Sequence, residues 1–314
     1  MDGGARRKLL ITFDAFGTLF VPRLPIARQY GDVAARHGLP RFDEHELEQS
    51  FRRAFKQESK LHPNYGKASG MKAPEWWANI IKETFRPFTS QQSNDLPDGL
   101  IRDLLTRFSS SAGYELCSDV LPLFQAIRET KRQSPFRRTP FWPWDLTIVG
   151  VVTNSDDRVP SILKSLGLDV GMRTVENSKQ MRHGDLEKDI SFTVMSYDLG
   201  VEKPDPRMLV AAEQLMYDAL ICEDPLQKGK NVDIERKARL ENFKYVHVGD
   251  DRKDVETAQN ASWSSVQVVR DGVSASPQIS THNHTHPNIK SDQGWSGANS
   301  IVPNLEQIGF WKPN

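Results

Sequence analysis

The chain has 314 residues and a mass of 35.6 kDa, a length that fits a core domain with a smaller second domain. Its 41 basic and 41 acidic residues give a formal net charge of +0, which argues against nucleic acid or an anionic membrane surface as a partner. Hydrophobic residues make up 38% of the chain and the mean hydropathy is -0.55, so we expect polar insertions on an ordinary core.

Cysteine usage and apolar runs indicate the compartment. Cys117 and Cys222 stand far apart and form neither a disulfide framework nor a zinc site by themselves. The longest apolar run, Leu146 to Val152, is far shorter than the roughly 20 residues of a membrane helix. The apolar stretch near the N-terminus ends at Asp14, too early for a secretory signal. We therefore expect a soluble intracellular protein, cytoplasmic or nuclear, with a mitochondrial location left open.

The first predicted elements are one strand and a helical insertion. Apolar, β-prone residues from Lys8 predict a buried strand that ends at Asp14, before a turn containing Gly17. Apolar residues at three- and four-residue spacing then predict helices, and we assign residues 23–117 to an inserted all-α domain with Trp76 and Trp77 in its core. The predicted helices are Ile26 to His37, Glu44 to Lys60, Pro74 to Phe85 and Gly99 to Ser109.

The rest of the chain alternates strands with helices. Apolar runs predict strands at Thr147 to Thr153, Phe192 to Ser196, Tyr245 to Gly249 and Ser265 to Arg270, and helices at Asp119 to Glu129, at Arg207 to Met216 and after Asp250. This order predicts an α/β fold with a doubly wound parallel sheet, formed by residues 1–22 and 118–314. Polar stretches at 177–188 and 225–241 favour solvated loops or short exposed helices, and we expect 271–300 to be disordered or loosely attached.

Three aspartates follow predicted strands, where a doubly wound sheet binds its ligands. Asp14 alone is typical of a turn-capping acid, and Asp250 and Asp254 are typical of a helix cap and first turn. Together at one sheet edge they would repel one another unless a cation neutralised them. Mg²⁺, which prefers oxygen ligands, is the cofactor that this grouping indicates.

Other polar residues at the strand ends allow two interpretations. Lys203, near the start of a helix, is either solvated or turned inward to hold a carboxylate and a phosphate oxygen together. Thr153 is either the last residue of a strand or, with the Asn154 amide, a binding site for phosphate oxygens. His282, His284 and His286 could bind a metal, but their polar tract favours a loop without such a site.

Four segments follow one another along the chain: Phe13 to Leu19, Val151 to Asn154, Gly200 to Pro206, and Val248 to Asp250 together with Asp254. In this order they resemble the four motifs of the haloacid dehalogenase-like hydrolase superfamily, and the helical insertion is similar to its type-1 cap. The resemblance therefore implies a Rossmann-like core. The stretch from Ser196 to Pro206 is most similar to the haloacid dehalogenase-like hydrolase domain-containing 3 group.

The resemblance implies a role for each matching residue. Asp14 would be the nucleophile, Thr153 would bind the transferring group with Asn154, and Lys203 would neutralise it. Mg²⁺ would be held by Asp14, the backbone carbonyl of Phe16, Asp250 and Asp254. The expected substrate is a small phosphorylated molecule.

Phe16 departs from the phosphatases of this superfamily. They carry a second aspartate there that protonates the leaving group, which a phenyl ring cannot do. The dehalogenases have an aromatic or apolar residue at this place, but their fourth motif tends to carry Ser and Asn where this chain has Gly249 and Asp250. We therefore expect a Mg²⁺-dependent phosphatase, slowed by the missing acid. The alternatives are a catalytically lapsed binding or regulatory protein and a 2-haloacid dehalogenase.

Overall fold

The computed structural model describes residues 7–89, 96–132, 142–178, 183–223, 240–270 and 300–310. Their strands are β1 (Lys8–Phe13), β2 (Phe20–Pro22), β3 (Tyr114–Leu116), β4 (Leu146–Thr153), β5 (Val170–Arg173), β6 (Ile190–Met195), β7 (Phe243–Gly249), β8 (Ser264–Val268) and β9 (Ser300–Val302). Seven of them form one parallel sheet in the order β5-β6-β4-β1-β7-β8-β9. The sheet confirms the predicted fold class.

In the described residues, helices follow or separate the strands along the chain. They are α1 (Ile26–Arg36), α2 (Glu44–Leu61), α3 (Ala73–Phe85), α4 (Leu100–Arg107), α5 (Val120–Arg132), α6 (Val159–Ser165), α7 (Ser196–Leu199), α8 (Arg207–Glu223) and α9 (Arg252–Asn260). Short 3-10 turns occupy Asn64–Ser69, Arg86–Phe88, Asp185–Glu187 and Leu305–Phe310. The predicted helices are all present, with ends that differ by a few residues except in α8, which continues seven residues beyond Met216.

Apolar side chains on both faces of β1 explain why the sheet is covered on both sides. Leu9 and Ile11 belong to the core cluster that also contains Phe124 of α5. Leu10, between them in sequence, belongs to the cluster on the opposite face with Met208 of α8. Successive strand residues point to opposite faces, so a continuously apolar strand requires helices on both.

We call α1 to α4, with their described connections, the helical block. Its core is aromatic, and Trp76 and Trp77 are buried in it, as predicted. The strand β3 differs from the prediction, because it lies near the end of the segment 23–117, which is predicted to be all helical. It pairs antiparallel with β2, so a two-stranded ribbon joins the points where the chain leaves and re-enters the sheet domain. The domain boundaries themselves stay a prediction.

The register of the sheet places the polar strand ends together. Phe13 at the end of β1 lies opposite Val151 of β4 and Val248 of β7. The residues that follow these three positions therefore emerge side by side at the carboxyl edge of the sheet. Asp14, Thr153 and the segment beginning at Asp250 all lie at this edge.

Some predictions fall outside the described residues. These include the histidines at 282, 284 and 286, most of the insertion at 225–241, and residues 271–299. Ser300, which was predicted to be disordered, instead begins β9 and pairs with Val266 of β8, so the prediction is wrong at this residue. Among the residues described, no helix combines the length and the apolar character needed to cross a membrane.

Candidate active site

Asp14 is held by the backbone at the end of the central strand. Its N–H donates a 2.8 Å hydrogen bond to the Val248 carbonyl oxygen, and its side chain is 13% exposed. The turn that follows depends on Gly17, whose φ is +80°. A Cβ atom at Gly17 would lie 2.3 Å from Oδ2 of Asp250. Only glycine therefore lets this loop pass so close to the second carboxylate.

Lys203 points inward and bridges two of the aspartates. Its Nζ lies 2.8 Å from Oδ1 of Asp14 and 2.6 Å from Oδ1 of Asp254, and its side chain is 4% exposed. Burial opposes the charged ammonium, but the two carboxylates outweigh it and raise the pKa of Lys203. The lysine is therefore a fixed positive charge beside Asp14, and the solvated alternative is wrong.

Asn154 holds the backbone of Lys203. Its Oδ1 accepts a 2.7 Å hydrogen bond from the Lys203 N–H, and its Nδ2 donates to the Lys203 carbonyl at 3.1 Å. The neighbouring Thr153 is buried at the end of β4, and its hydroxyl favours the charged form of Asp14. Asn154 thus connects the loop after β4 to the segment that carries the lysine.

Asp14, Asp250 and Asp254 form one cluster of carboxylates. One oxygen from each lies within 4.8 Å of the other two. Burial, followed by repulsion from Asp14 and Asp254, raises the pKa of Asp250 to about 7, although the Thr18 hydroxyl donates to its Oδ1 at 2.7 Å. Burial also raises the pKa of Asp14, against the opposing effect of Lys203. A charged Asp250 is therefore disfavoured in this cluster unless a cation joins it.

The N-terminal cap of α9 fixes the position of Asp254. It is the third residue of α9, and its Oδ2 accepts a 3.0 Å hydrogen bond from the N–H of Asp251, which caps the helix. Burial favours its neutral form, but Lys203 and His247 outweigh that effect and hold the pKa of Asp254 below its usual range. A Cβ atom at Gly249 would lie 2.1 Å from Asp254 Oδ2, so glycine at the end of β7 makes room for the carboxylate.

Sequence reasoning missed His247. Its Nε2 lies 3.1 Å from Asp254 Oδ1, and its Nδ1 lies 2.8 Å from the Thr12 hydroxyl on the neighbouring strand. Thr12 and His247 are register partners of β1 and β7. Two polar residues inside otherwise apolar strands are the signal that could have indicated this pair.

The contact between Arg270 and the loop after Asp14 was not predicted from the sequence either. It lies just beyond β8 and donates to the carbonyl oxygens of Gly17 at 2.8 Å and Thr18 at 2.9 Å. The same guanidinium forms two hydrogen bonds with Asp119, at 3.0 and 3.1 Å. Arg270 therefore ties the loop after Asp14 to the start of α5.

Phe16, two residues after Asp14, lies in an aromatic cluster. Its ring centroid is 4.6 Å from that of Phe20 and 5.6 Å from that of Tyr114, and both contacts are edge-on. The ring is thus packed against the ribbon formed by β2 and β3. An aromatic ring therefore occupies the position where the resemblance to phosphatases predicts a carboxylic acid.

The predicted side chains converge at one edge of the sheet. Asp14, Lys203, Asp250 and Asp254 are in contact or within a few ångströms of one another, with Thr153 and Asn154 beside them. Their chemical roles, and that of the Phe16 carbonyl, stay predictions.

Comparison with known proteins shows what the whole chain is similar to. An uncharacterized protein of Saccharomyces cerevisiae is 29% identical over 266 residues, which cover 84% of this chain and 72% of that protein. The human haloacid dehalogenase-like hydrolase domain-containing protein 3 is 26% identical over 208 residues, 66% of this chain and 69% of that protein. A crystal structure of L-2-haloacid dehalogenase from Xanthobacter autotrophicus superposes with a TM-score of 0.51 at 14% identity over 96% of both chains, a likeness of fold alone.

The family description that fits the sequence is that of a haloacid dehalogenase-like hydrolase, and the match runs over residues 9–262. It spans β1 to α9 and includes every residue of the cluster at the sheet edge. The chain therefore belongs to the haloacid dehalogenase-like hydrolases.

Proposed function

We propose that this protein is a Mg²⁺-dependent hydrolase that acts on a small phosphate ester through Asp14. The observation that carries the proposal is the buried cluster of Asp14, Asp250 and Asp254, in which the pKa of Asp250 is raised to about 7. In the displacement of a halide, the carbon that is attacked carries no anionic oxygens of its own, so no cation is needed to offset them. Transfer of a phosphoryl group does, because its oxygens bring negative charge to a carboxylate nucleophile.

The residues fit Mg²⁺ by their chemistry. Three carboxylates close together offer the hard oxygen ligands that this ion selects, and a divalent cation would remove the repulsion that disfavours a charged Asp250. Asp14, Asp250 and Asp254 would hold the ion, with the carbonyl of Phe16. Bound Mg²⁺ supplies positive charge for the phosphate oxygens.

The first chemical step belongs to Asp14. Lys203 favours the charged form of Asp14, and its positive charge would offset the negative charge of the phosphate oxygens. An Oδ atom of Asp14 attacks phosphorus, a new O–P bond forms, and the bond to the leaving oxygen breaks with its electron pair on that oxygen. The Phe16 ring has no proton to give, so leaving groups of low pKa depart most readily.

The second step regenerates the carboxylate. Water attacks phosphorus of the aspartyl phosphate, the Asp14 oxygen leaves, and inorganic phosphate is released with the proton of the water. An aspartate at position 16, left as a carboxylate after giving its proton to the leaving group, would have accepted the proton of the water here, so this step is also slowed. The proposal therefore predicts slow turnover.

Dehalogenation is the second candidate, and Phe16 is the observation that favours it. An apolar ring at this position, packed on Phe20 and Tyr114, would suit the apolar part of a haloacid, and a departing halide needs no proton. In that reaction an Asp14 oxygen would attack the halogen-bearing carbon, form an ester and expel halide with its bonding electrons. Nothing in this chemistry uses Asp250.

The two candidates are distinguished by what is released. Phosphate release is measured for alkyl, aryl and acyl phosphates with Mg²⁺ and with EDTA, and chloride release is measured for 2-chloropropionate in EDTA. Asp14→Asn is the blank. Mg²⁺-dependent phosphate release above this blank supports the proposal, and chloride release alone replaces it with dehalogenation. If neither phosphate nor chloride is released above the blank, a catalytically lapsed protein becomes the better account.

A further inference from the structure

The 3-10 turn Asn64–Ser69 brings the helical block onto the site. Asn64 Nδ2 donates to the Ser196 carbonyl at 2.8 Å, and the Ser196 hydroxyl donates to Asn64 Oδ1 at 2.9 Å. These reciprocal hydrogen bonds seat the turn on α7, just before the segment that carries Lys203. The next residue, Tyr65, donates its hydroxyl to the Asn154 carbonyl at 3.1 Å.

Tyr65 has an unusual backbone conformation for its residue type. Its φ is 57° and its ψ is 25°, and Asn64 before it has a φ of 47°. Asparagine tolerates the left-handed region, but for a bulky residue such as tyrosine it is an outlier that the surrounding contacts must stabilise. In this conformation the Tyr65 ring packs against Trp76 and Trp77, and its hydroxyl reaches the loop after β4.

The residue that Tyr65 contacts is the one that holds the lysine. Asn154 bonds the backbone N–H and carbonyl of Lys203, and Lys203 Nζ lies 2.8 Å from Asp14. A hydroxyl of the helical block is thus connected to the nucleophile through two intermediate residues. Burial raises the pKa of Tyr65, so its hydroxyl keeps the proton that it donates.

We propose that Tyr65 is a positioning residue: by fixing the Asn154 carbonyl it holds Lys203 against Asp14 and makes the geometry of the site depend on the seating of the helical block. The effect on turnover rests on the proposed function, whereas the effect on Lys203 does not. Tyr65 acts through Asn154 and touches neither substrate nor metal.

A matched pair of variants separates positioning from simple docking. Tyr65→Phe removes the hydroxyl but keeps the ring between the tryptophans. Tyr197→Phe removes another hydroxyl bond of the same contact, from Tyr197 of α7 to the Met71 carbonyl at 3.0 Å. That second bond joins α7 to the segment that follows the same turn, and it does not involve Asn154. Both variants lose one neutral hydrogen bond across the same surface.

The first measurement is amide hydrogen exchange at Lys203, whose N–H donates to Asn154. Tyr65→Phe is expected to speed this exchange about 2- to 10-fold, the factor that one neutral hydrogen bond represents, and Tyr197→Phe is expected to leave it unchanged. The second is steady-state phosphate release, in which Tyr65→Phe should lower kcat by a similar factor with KM nearly constant. If Tyr65 only helped to dock the helical block, Tyr65→Phe and Tyr197→Phe would change Lys203 exchange and kcat by similar factors.

Each outcome decides the proposal. Unchanged Lys203 exchange in folded Tyr65→Phe, or equal acceleration in both variants, overturns it. If wild-type protein releases no phosphate, the proposed function fails, but the exchange measurement still tests the role of Tyr65. If Tyr65→Phe does not fold, Asn64→Ala takes its place. It removes both side-chain bonds to Ser196, and it must accelerate exchange at Lys203 for the proposal to stand.

Discussion

Trp77 of α3 donates its indole N–H to Oδ2 of Asp156 at 2.7 Å, which joins the helical block to the loop after β4. Asp156 is fully buried and also accepts two hydrogen bonds from the guanidinium of Arg158, at 2.8 and 2.9 Å. Burial favours the neutral acid, but Arg158 and Trp77 outweigh it and hold the pKa of Asp156 below its usual range. The contact therefore stabilises the ionised carboxylate in the folded protein.

The Trp77–Asp156 bond should make a pH-dependent contribution to stability. Because the folded pKa of Asp156 lies below the ordinary 3.8, its contribution is full above pH 3.8 and is lost as pH falls through the folded pKa. Trp77→Phe should lower the free energy of unfolding by about 1.5–3 kcal/mol at pH 7, as for a hydrogen bond to a charged group. Urea unfolding from pH 7 down to pH 3 should show this loss becoming smaller.

Trp76→Phe is the control for this prediction. Trp76 precedes Trp77 in α3 and donates to the backbone carbonyl of His62 at 2.9 Å, so its partner does not titrate. Its substitution should cost stability by an amount that does not vary with pH. The same pH dependence in both variants would show that Asp156 is not the origin.

The carboxylate cluster predicts how Mg²⁺ changes stability. Mg²⁺ should raise the Tm of the wild type, because a ligand that binds only the folded state stabilises it by mass action. Asp250→Asn should abolish most of that increase. Without Mg²⁺ the variant should be at least as stable as the wild type above pH 7, because a charged Asp250 repelled by Asp14 and Asp254 has been removed.

Asp251→Asn serves as the matched control for the metal prediction. Asp251 caps α9 by accepting from the Lys253 N–H at 3.0 Å, and it lies outside the cluster. This variant should lose a little stability but keep the Mg²⁺-induced increase in Tm. An equal increase in wild type and in Asp250→Asn would mean that these carboxylates do not form a metal site.

The sheet and the main site could be predicted because their signals are local. Strands buried on both faces are continuously apolar, and each polar strand end stands directly after its strand, as at Asp14 and Thr153. The short strand β5 was missed because it has four residues and includes Gly171, where a Cβ would lie 2.5 Å from the Ser191 carbonyl. The close approach of the neighbouring backbone requires a glycine here, and a glycine interrupts the run of apolar side chains that predicts a strand.

The supporting residues could not be predicted because their partners are distant in sequence. His247 contacts Thr12 across 235 positions, and Tyr65 contacts Asn154 across 89. Only the sheet register and the seating of the helical block bring these pairs together. The polar residues Thr12 and His247 stand out within their strands, but neither periodicity nor a motif indicates that they contact each other.

Arg270 should be important for the nucleophile loop. Arg270→Met would leave Asp119 buried without its guanidinium partner and remove the donors to Gly17 and Thr18. Breaking a buried ion pair typically costs about 3–5 kcal/mol, so we expect a loss of that size in urea unfolding.

A double-mutant cycle with Asp119→Asn tests this interpretation. The double variant should cost clearly less than the sum of the single variants, because the two side chains share one contact. Additive effects would indicate that Arg270 stabilises the loop independently of Asp119.

The most direct test of the proposed chemistry is a proton donor at position 16. If the protein is a phosphohydrolase without its acid, Phe16→Asp should raise kcat/KM for alkyl phosphates, whose leaving oxygen needs a proton. General acid catalysis is worth about 10² to 10⁴-fold, so even a poorly placed carboxyl should give a measurable gain. The gain should be small for p-nitrophenyl phosphate, whose leaving group departs without a proton.

The measurement is the ratio of kcat/KM between Phe16→Asp and wild type for both phosphate classes with Mg²⁺, with Asp14→Asn as the blank. The account predicts a ratio well above one for alkyl phosphates and near one for p-nitrophenyl phosphate. A folded Phe16→Asp protein that Mg²⁺ stabilises but that shows no alkyl phosphatase activity above the blank would contradict it.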